Sequence, residues 1–401
     1  MARARRPEIT ERQLTGIKYL ERVLPLLERL RPDGCQRDTA GNRQLFFDQY
    51  CALLLLFFFN PTIQSLRGLQ RASELEKVQR KLSARRVSLG SLSEAVRVFD
   101  PQRLAEIVAE LAETLPTPVP IGGLAGLSQI PTAVDGTLLK ALPQITQACY
   151  ATRRDAGWRL HTHFEVLRGT VVAAQVTDAR NSGPTNEKAM LRRMLQADRC
   201  YIVDRGYEEF RLFNSIVAAG SSYVCRVRND HAFAVEQSRR IGEQARTAGV
   251  IEDQVGRMGS PNSQRIVHPD HTMRRIVVRV PIHPKRRGKP PGATHDLVLV
   301  TNLLDVPAEI IVALYRWRWL IELFFRFFKH VLGCTHLLSE DPGGLAIQVY
   351  CALIVCLLIN VATGRKPNRA TFEIVCLFFQ GWATESELLA QLARLPRHDQ
   401  S

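Results

Sequence analysis

Apolar segments between residues 130 and 228 alternate between two periodicities, and this alternation constrains the fold more than any other feature of the sequence. Short apolar runs predict β-strands at residues 133–138, 161–167, 171–177, 201–203 and 222–228. Helical spacing of apolar residues predicts helices at residues 186–196 and 208–218, on either side of the fourth strand. The order is therefore three strands, then helix, strand, helix and strand. Such an order predicts an α/β fold.

The sequence before this region predicts helices. Apolar residues predict a core helix at residues 45–59, which Asn60 and Pro61 end because proline cannot continue a helix. Further along, Ser91 and Glu94 form the pattern of a capping box, which predicts a helix start at that point. We therefore expect an all-helical N-terminal region.

The α/β region is separated from its neighbours and interrupted once. Three prolines and two glycines at residues 116–123 predict a linker. Residues 229–302 are basic and contain strand patterns at residues 276–282 and 297–301, which predicts an inserted β subdomain. A long helix is then expected to carry residues 315–329.

The order of elements is that of a ribonuclease-H-like α/β core with a β-strand insertion, preceded by an all-helical N-terminal domain. We therefore expect four regions in the chain. They are a basic helical domain at residues 1–125, the α/β core at residues 129–228 and 306–365, the insertion at residues 229–305 and a C-terminal tail at residues 366–401.

The chain is strongly basic, with 54 Lys and Arg against 39 Asp and Glu and a formal net charge of +15. This charge favours a polyanionic partner. The basic residues are spread along the chain and not massed beside one apolar helix, which favours nucleic acid over a membrane surface. One basic stretch in the helical region is suited to DNA contact, although each residue could equally lie on a solvated helix face: Arg67, Arg71, Lys77, Arg80, Lys81, Arg85 and Arg86.

The nine cysteines are scattered and lack the close spacings of structural zinc sites, so we interpret them as reduced core residues. No apolar stretch follows the N-terminal arginines as a signal peptide would require, and we expect a cytoplasmic protein. The apolar segment at residues 345–361 is close to membrane-spanning length. Gln348 and Asn360 interrupt it, so we expect a buried core helix and no membrane association.

Two aspartates lie in or at the end of apolar strand patterns. Asp135 stands in Ala133-Val134-Asp135-Gly136 and Asp204 ends Tyr201-Ile202-Val203-Asp204. An ionised aspartate at a buried strand is costly unless it is paired or bound to a metal ion. Hard divalent cations prefer carboxylate ligands, so these residues are candidate metal ligands. For each aspartate alone, a turn residue before glycine is an equally good interpretation.

The third candidate carboxylate, Glu322, lies in the expected helix at residues 315–329. On a helical projection Tyr315, Arg318, Glu322 and Lys329 share one polar stripe, and apolar residues cover the opposite side. A carboxylate flanked by an aromatic hydroxyl and two cations suits a metal ligand beside bound phosphate. The alternative is an ordinary solvated face. Trp319, near the edge of the stripe, is expected in the core.

These residues resemble a known family. Tyr315, Arg318, Glu322 and Lys329 match without a gap the spacing of the YREK signature of DDE transposases of the insertion-sequence-four group. The resemblance covers roughly residues 130–360. Further counterparts are the Asp-Gly-Thr that begins at Asp135, the Arg-Leu-His that ends at His161 and the Asp-Arg-Gly-Tyr that begins at Asp204.

The resemblance implies a ribonuclease-H-like catalytic domain in which Asp135, Asp204 and Glu322 bind two Mg²⁺ ions, with Mn²⁺ able to substitute. It implies hydrolysis of double-stranded DNA at transposon inverted-repeat ends and transfer of the freed 3′ hydroxyls into target DNA, with a homodimer in the end complex. The residues expected to contact DNA are Tyr315, Arg318, Arg326 and Lys329, together with Arg67, Arg71, Arg85 and Arg86.

Two points stay open at this stage. Relatives in this group use a tryptophan of the β insertion in a hairpin route of excision, but residues 229–305 contain no tryptophan. The excision route is therefore not implied. Trp319 is the alternative candidate for the role of that tryptophan, although a core position is expected for it. A stand-alone nuclease would also keep the three acidic residues, and a DNA-binding relic would occupy transposon ends without cutting them.

Overall fold

The computed structural model describes most of the chain. The described residues are 23–33, 37–38, 43–82, 85–115, 127–140, 157–179, 182–259, 267–282, 292–330, 338–339, 341–364 and 366–395. The linker predicted at residues 116–123 lies outside them.

The helices and strands are numbered in chain order. The helices are α1 (Leu24–Glu28), α2 (Leu30–Asp33), α3 (Phe47–Phe59), α4 (Leu66–Ser73), α5 (Glu76–Leu82), α6 (Leu89–Val98), α7 (Gln102–Glu113), α8 (Glu187–Arg193), α9 (Phe210–Ala218), α10 (Glu243–Thr247), α11 (Ala308–Trp317), α12 (Trp319–His330), α13 (Pro342–Thr363), α14 (Arg369–Phe379) and α15 (Glu385–Arg394). The strands are β1 (Ile130–Lys140), β2 (Gly157–Glu165), β3 (Thr170–Asp178), β4 (Arg199–Val203), β5 (Ser222–Val227), β6 (Phe233–Ser238), β7 (Val250–Met258), β8 (Met273–Pro281) and β9 (Thr294–Thr301).

The described strands form one mixed sheet in the order β3-β2-β1-β4-β5-β9-β8-β7-β6. β1, β2 and β3 pair antiparallel, whereas β4 and β5 run parallel to β1. Each strand predicted between residues 133 and 228 overlaps an observed one, which confirms the predicted α/β fold. The described elements before β1 are all helices, which confirms the helical N-terminal region. The insertion strands extend the same sheet, since β9 pairs antiparallel with β5.

The parallel strands are buried on both faces, which explains their almost continuous apolar sequence. Cys200, Tyr201, Ile202 and Val203 are all fully buried. In the parallel pairing of β1 with β4, Ala133 lies opposite Ile202. Two residues after this pair, each of the two segments reaches an aspartate. The register therefore brings Asp135 and Asp204 to neighbouring positions.

The long helix α13 organises the core. By length and composition it could cross a membrane, but 89% of its most apolar window is buried within the protein, in agreement with the predicted core helix. It packs on α3, α6, α7 and β3, so the N-terminal helices and the sheet share one hydrophobic core. The approach to α6 is close, since a Cβ added at Gly343 would lie 2.6 Å from the carbonyl oxygen of Val96.

Three elements differ from the sequence-based expectation. The capping-box prediction at Ser91 is wrong: Ser88 caps α6, and its hydroxyl accepts a hydrogen bond from the Ser91 backbone N–H over 3.0 Å. Both serines have the same capping chemistry, and the one a turn earlier is used. The helix predicted at residues 315–329 is interrupted at Arg318. Residues 366–401, expected to be a tail, contain α14 and α15.

Candidate active site

Asp135 lies midway along β1 and is only partly exposed. Its Oδ1 accepts a hydrogen bond from the Gly136 backbone N–H over 2.8 Å. Burial raises the pKa of the Asp135 carboxyl to about 6; the Gly136 hydrogen bond opposes this, and the nearby Asp204 charge adds to it. The structure therefore holds Asp135 where its negative charge is poorly compensated.

Asp204 follows β4 directly and begins a single 3₁₀ turn at Arg205–Tyr207. Its Oδ1 accepts a hydrogen bond from the Gly206 backbone N–H over 2.8 Å. The aspartate therefore has the turn role that the sequence also allowed. Its charge nevertheless acts on Asp135, because parallel neighbouring strands bring the two carboxylates to the same edge of the core.

Arg318 connects Asp135 to Glu322. Its guanidinium donates a close hydrogen bond to Glu322 Oε1, and its Nη1 lies 3.7 Å from Asp135 Oδ2. The Arg318 side chain is 17% exposed, so the contact is partly shielded from water. One cation thus contacts two of the three predicted acidic residues.

A local change in hydrogen bonding marks Arg318. Its backbone N–H donates to the carbonyl of Tyr315, and the Ile321 N–H donates to the carbonyl of Arg318, both over 3.2 Å. These i to i−3 bonds tighten the chain between α11 and α12. Trp319 is 50% exposed, so the expectation of a core tryptophan is wrong. The helical projection already places Trp319 near the edge of the polar stripe, and only its large apolar side chain favoured a core position.

The remaining residues of the predicted stripe are distributed along these two helices. Tyr315 lies near Arg318, Arg226 and Asp204, and burial raises the pKa of its hydroxyl. Arg326 is exposed and Lys329 is partly buried. The structure therefore brings Tyr315 and Arg318 to the acidic residues, while Arg326 and Lys329 lie further along α12.

The predicted DNA-contacting arginines of the N-terminal region lie on different elements from the acidic residues. Arg67 and Arg71 are exposed on α4, and Arg85 and Arg86 are exposed in the segment before α6. This segment is tied to the end of α4, because the Val87 N–H donates to the buried Ser73 hydroxyl over 3.1 Å. The arginines at the end of α4 and before α6 are therefore neighbours.

His161 has the properties of a core histidine. Its Nε2 lies 2.8 Å from the Thr177 hydroxyl. Burial, assisted by the Arg159 charge, lowers the pKa of His161 to about 4. The imidazole is therefore neutral at physiological pH, as expected for a buried structural histidine.

Sequence analysis missed Glu187 and Arg159, which form a close ion pair beside the acidic residues. Glu187 begins α8, where the Asn186 side chain caps the helix. Burial raises the pKa of Glu187, and the nearby Asp204 charge contributes to this shift. An acidic residue in the first turn of a helix is common, so no sequence signal marked Glu187.

A divalent cation suits the chemistry of this site, although a complete ligand set is not formed. Within the described ranges, no three acidic, histidine or cysteine side chains lie close enough to hold a metal ion together. Burial is the main cause of the raised pKa of Asp135, and the like charge of Asp204 adds to it, so a bound cation would favour the ionised form of Asp135. Carboxylates are the ligands that a hard cation prefers, and the strand register places Asp135 and Asp204 at neighbouring positions, whereas Glu322 contacts Arg318.

Comparisons with known proteins converge on one family. The profile of the family described as "Transposase DDE domain" matches residues 127–358, more than half of the chain. The chain is 26% identical over 262 residues to a Sinorhizobium fredii protein described as a transposase, y4zB, covering 65% of this chain and 62% of the relative. It is 24% identical over 209 residues to a Geobacillus stearothermophilus protein described as a transposase for insertion sequence element IS5377, covering 51% and 49%.

Two further similarities are more limited. A Synechocystis protein described as a transposase for insertion sequence element IS4SA is 29% identical over 102 residues, covering 23% of this chain and 30% of the relative. A cryo-EM structure of the piggyBac transposase synaptic complex with hairpin DNA has a TM-score of 0.40 and 11% identity, covering 98% of this chain and 87% of that one. The chain spans less than two thirds of the length of each of the three relatives from Sinorhizobium, Geobacillus and Synechocystis.

Proposed function

Because the chain belongs to the transposase DDE domain family, we propose that it is a DNA transposase that hydrolyses strands at transposon ends and joins the 3′ hydroxyls to target DNA. One observation carries the proposal. Asp135 and Asp204 lie at neighbouring positions of parallel strands, and Arg318 joins Asp135 to Glu322. The three acidic residues thus belong to one electrostatic network, although more than 180 residues separate the first from the last.

We assign the catalytic core to the ribonuclease-H-like fold. The order β3-β2-β1-β4-β5, with three antiparallel strands followed by two strands parallel to β1, supports this assignment. The domain bounds proposed from the sequence describe functional regions: DNA binding by residues 1–125, catalysis by residues 129–228 and 306–365, and an insertion at residues 229–305. Residues 366–401 form the C-terminal tail.

Asp135, Asp204 and Glu322 would hold two Mg²⁺ ions, or Mn²⁺ in their place, which when bound supply Lewis-acid stabilisation of the phosphoryl oxygens. For Glu322 to join the aspartates, its carboxylate has to exchange its contact with Arg318. The Arg318 guanidinium is then available to a DNA phosphate, which it can bind through two parallel hydrogen bonds. Tyr315 lies beside Arg318 and would position the same strand.

The cationic residues away from the acidic network would bind the DNA backbone. Arg326 and Lys329 extend the phosphate contacts along α12, and the exposed Arg67, Arg71, Arg85 and Arg86 provide a second contact region on the N-terminal helices. The net charge of +15 supports a double-stranded DNA partner. We place this activity in the cytoplasm and expect a homodimer to hold the two transposon ends.

Cleavage of DNA that carries the sequences flanking the coding region tests the proposed function. The purified chain should cut at the element ends in Mg²⁺ or Mn²⁺ and should be inactive in a chelator. It should then join the freed 3′ ends to a second DNA. Cutting without joining would indicate a nuclease, and end binding without cutting in any divalent cation would indicate a DNA-binding relic.

Arg318→Ala should reduce the joining of pre-cut ends by about ten- to a hundredfold, because a charged hydrogen-bonding partner of the phosphate is lost. Arg318→Lys should also be impaired, since lysine cannot make the paired contact. Joining assays beside thermal melts measure the two effects separately. The matched control is Arg316→Ala, an exposed arginine two residues earlier that donates to the carbonyl of Ala248. Joining by Arg318→Ala at the wild-type rate would contradict a phosphate role.

A further inference from the structure

A buried ion pair lies next to the strand segment that carries Asp135. Arg159 on β2 and Glu187 at the start of α8 form this pair, with side chains only 13% and 19% exposed. Resting on the function proposed above, we propose that Glu187, held by Arg159, is a positioning residue. It fixes the Gly136 peptide and, through that peptide, the Asp135 carboxylate.

Gly136 is the point where the ion pair meets β1. A Cβ built on Gly136 would lie 2.6 Å from Glu187 Oε1, and outside residues 135–137 the three heavy atoms nearest to it all belong to Glu187. The N–H of the same glycine donates to Asp135 Oδ1 over 2.8 Å. The Glu187 carboxylate therefore packs against the peptide unit that orients Asp135, and only glycine leaves room for it.

The two arginine–glutamate pairs approach β1 from opposite sides. Successive residues of a strand point to opposite faces of the sheet, so Asp135 and Gly136 face different layers. Arg318, paired with Glu322, reaches the Asp135 side chain on one face. Glu187 covers the Cα of Gly136 on the other face. The two ion pairs thereby hold β1 between them at Asp135 and Gly136.

The charges of the pair depend on each other. The Arg159 Nε is buried and has no hydrogen-bond partner among the described residues, so Glu187 provides the counter-charge for this guanidinium. Removing the Glu187 charge would leave an unpaired buried cation near Asp135 and Asp204. That cation would oppose the binding of a divalent ion, and the Gly136 peptide would lose its support.

Titration of the full chain with Mn²⁺, followed by electron paramagnetic resonance, tests this role without DNA cleavage. Glu187→Gln should bind Mn²⁺ roughly three- to tenfold more weakly than the wild type, as expected for one charge removed close to the site. Glu252→Gln is the matched control. It removes the charge of a second arginine–glutamate pair, with Arg275, that lies in the insertion, and it should leave Mn²⁺ affinity unchanged.

A double-mutant cycle isolates the contact with Gly136. In Gly136→Ala the new methyl group displaces only the end of a flexible side chain, so the protein should fold and bind Mn²⁺ about as weakly as Glu187→Ala. In the Glu187→Ala background the same glycine substitution should have no further effect. If the two substitutions instead lowered Mn²⁺ affinity independently and additively, the positioning role would be wrong, because Gly136 would then be required for another reason.

Asp135→Ala separates this inference from the function on which it rests. If Asp135→Ala loses Mn²⁺ binding while Glu187→Gln retains wild-type affinity, the positioning role is wrong and the metal site stands. If neither substitution changes Mn²⁺ affinity, the proposed metal site itself is wrong. Loss in Asp135→Ala together with weakened binding in Glu187→Gln and non-additive effects in the cycle is the expected result.

Discussion

Replacement of Asp135, Asp204 or Glu322 by alanine should reduce DNA strand cleavage by more than about a thousandfold, because each substitution removes a proposed metal ligand from a group that acts as a unit. Binding to the transposon ends should remain, since none of the three is a DNA anchor. Single-turnover cleavage and electrophoretic mobility shifts measure the two properties on the same preparations.

Stability provides an internal check on these variants. Folding raises the pKa of Asp135 to about 6, so at neutral pH its ionised form is less favourable in the folded chain than in the unfolded chain. Asp135→Ala should therefore melt no earlier than the wild type. Asp305→Ala, which alters an exposed acidic residue before α11, is the control and should cleave normally. Any variant of the three that cleaves at the wild-type rate excludes that residue from the site.

Arg274→Met should destabilise the fold by about 3–5 kcal/mol, because it leaves a buried carboxylate without its partner. Arg274 on β8 donates to both oxygens of Asp253 on β7 over 2.8 and 2.7 Å, and both side chains are almost fully buried. Its third nitrogen also donates to backbone carbonyls of the segment that leads into α11, including that of Val306. Urea denaturation measures the loss.

A surface pair in the same subdomain is the control for Arg274. Arg279 also contacts both oxygens of its partner Asp296, but these side chains are 52% and 38% exposed. Arg279→Ala should leave the melting temperature nearly unchanged, because water and salt screen exposed ion pairs. Equal losses of stability in Arg274→Met and Arg279→Ala would mean that burial does not determine the strength of the Arg274 contact.

The strand pattern made much of the core predictable. A fully buried parallel strand such as β4 needs an apolar sequence, and the acidic residue that ends it is conspicuous for that reason. Asp135 and Asp204 were identified in this way. The signature spacing that includes Arg318 and Glu322 then indicated the family, which the match to residues 127–358 confirms.

Contacts between distant segments could not be predicted from the sequence. The helical projection placed Arg318 beside Glu322, but it could not show that β1 brings Asp135 within 3.7 Å of the same guanidinium. Glu187 reaches Gly136 only because α8 packs over β1, and glycine in a strand has many possible reasons. Trp319 was misplaced because a core position was inferred from its large apolar side chain, although the helical projection put it near the edge of the polar stripe.

The single core built around α13 also limits how the N-terminal region of this chain can be exchanged. One helix buries its surface against N-terminal helices on one side and against β3 on the other. At Gly343 its backbone approaches α6 too closely for any side chain. An N-terminal region taken from another transposase would meet a surface of α13 that is shaped for the present N-terminal helices. Replacement of the N-terminal helices would therefore require matching substitutions on α13 and on β3, which α7 also contacts.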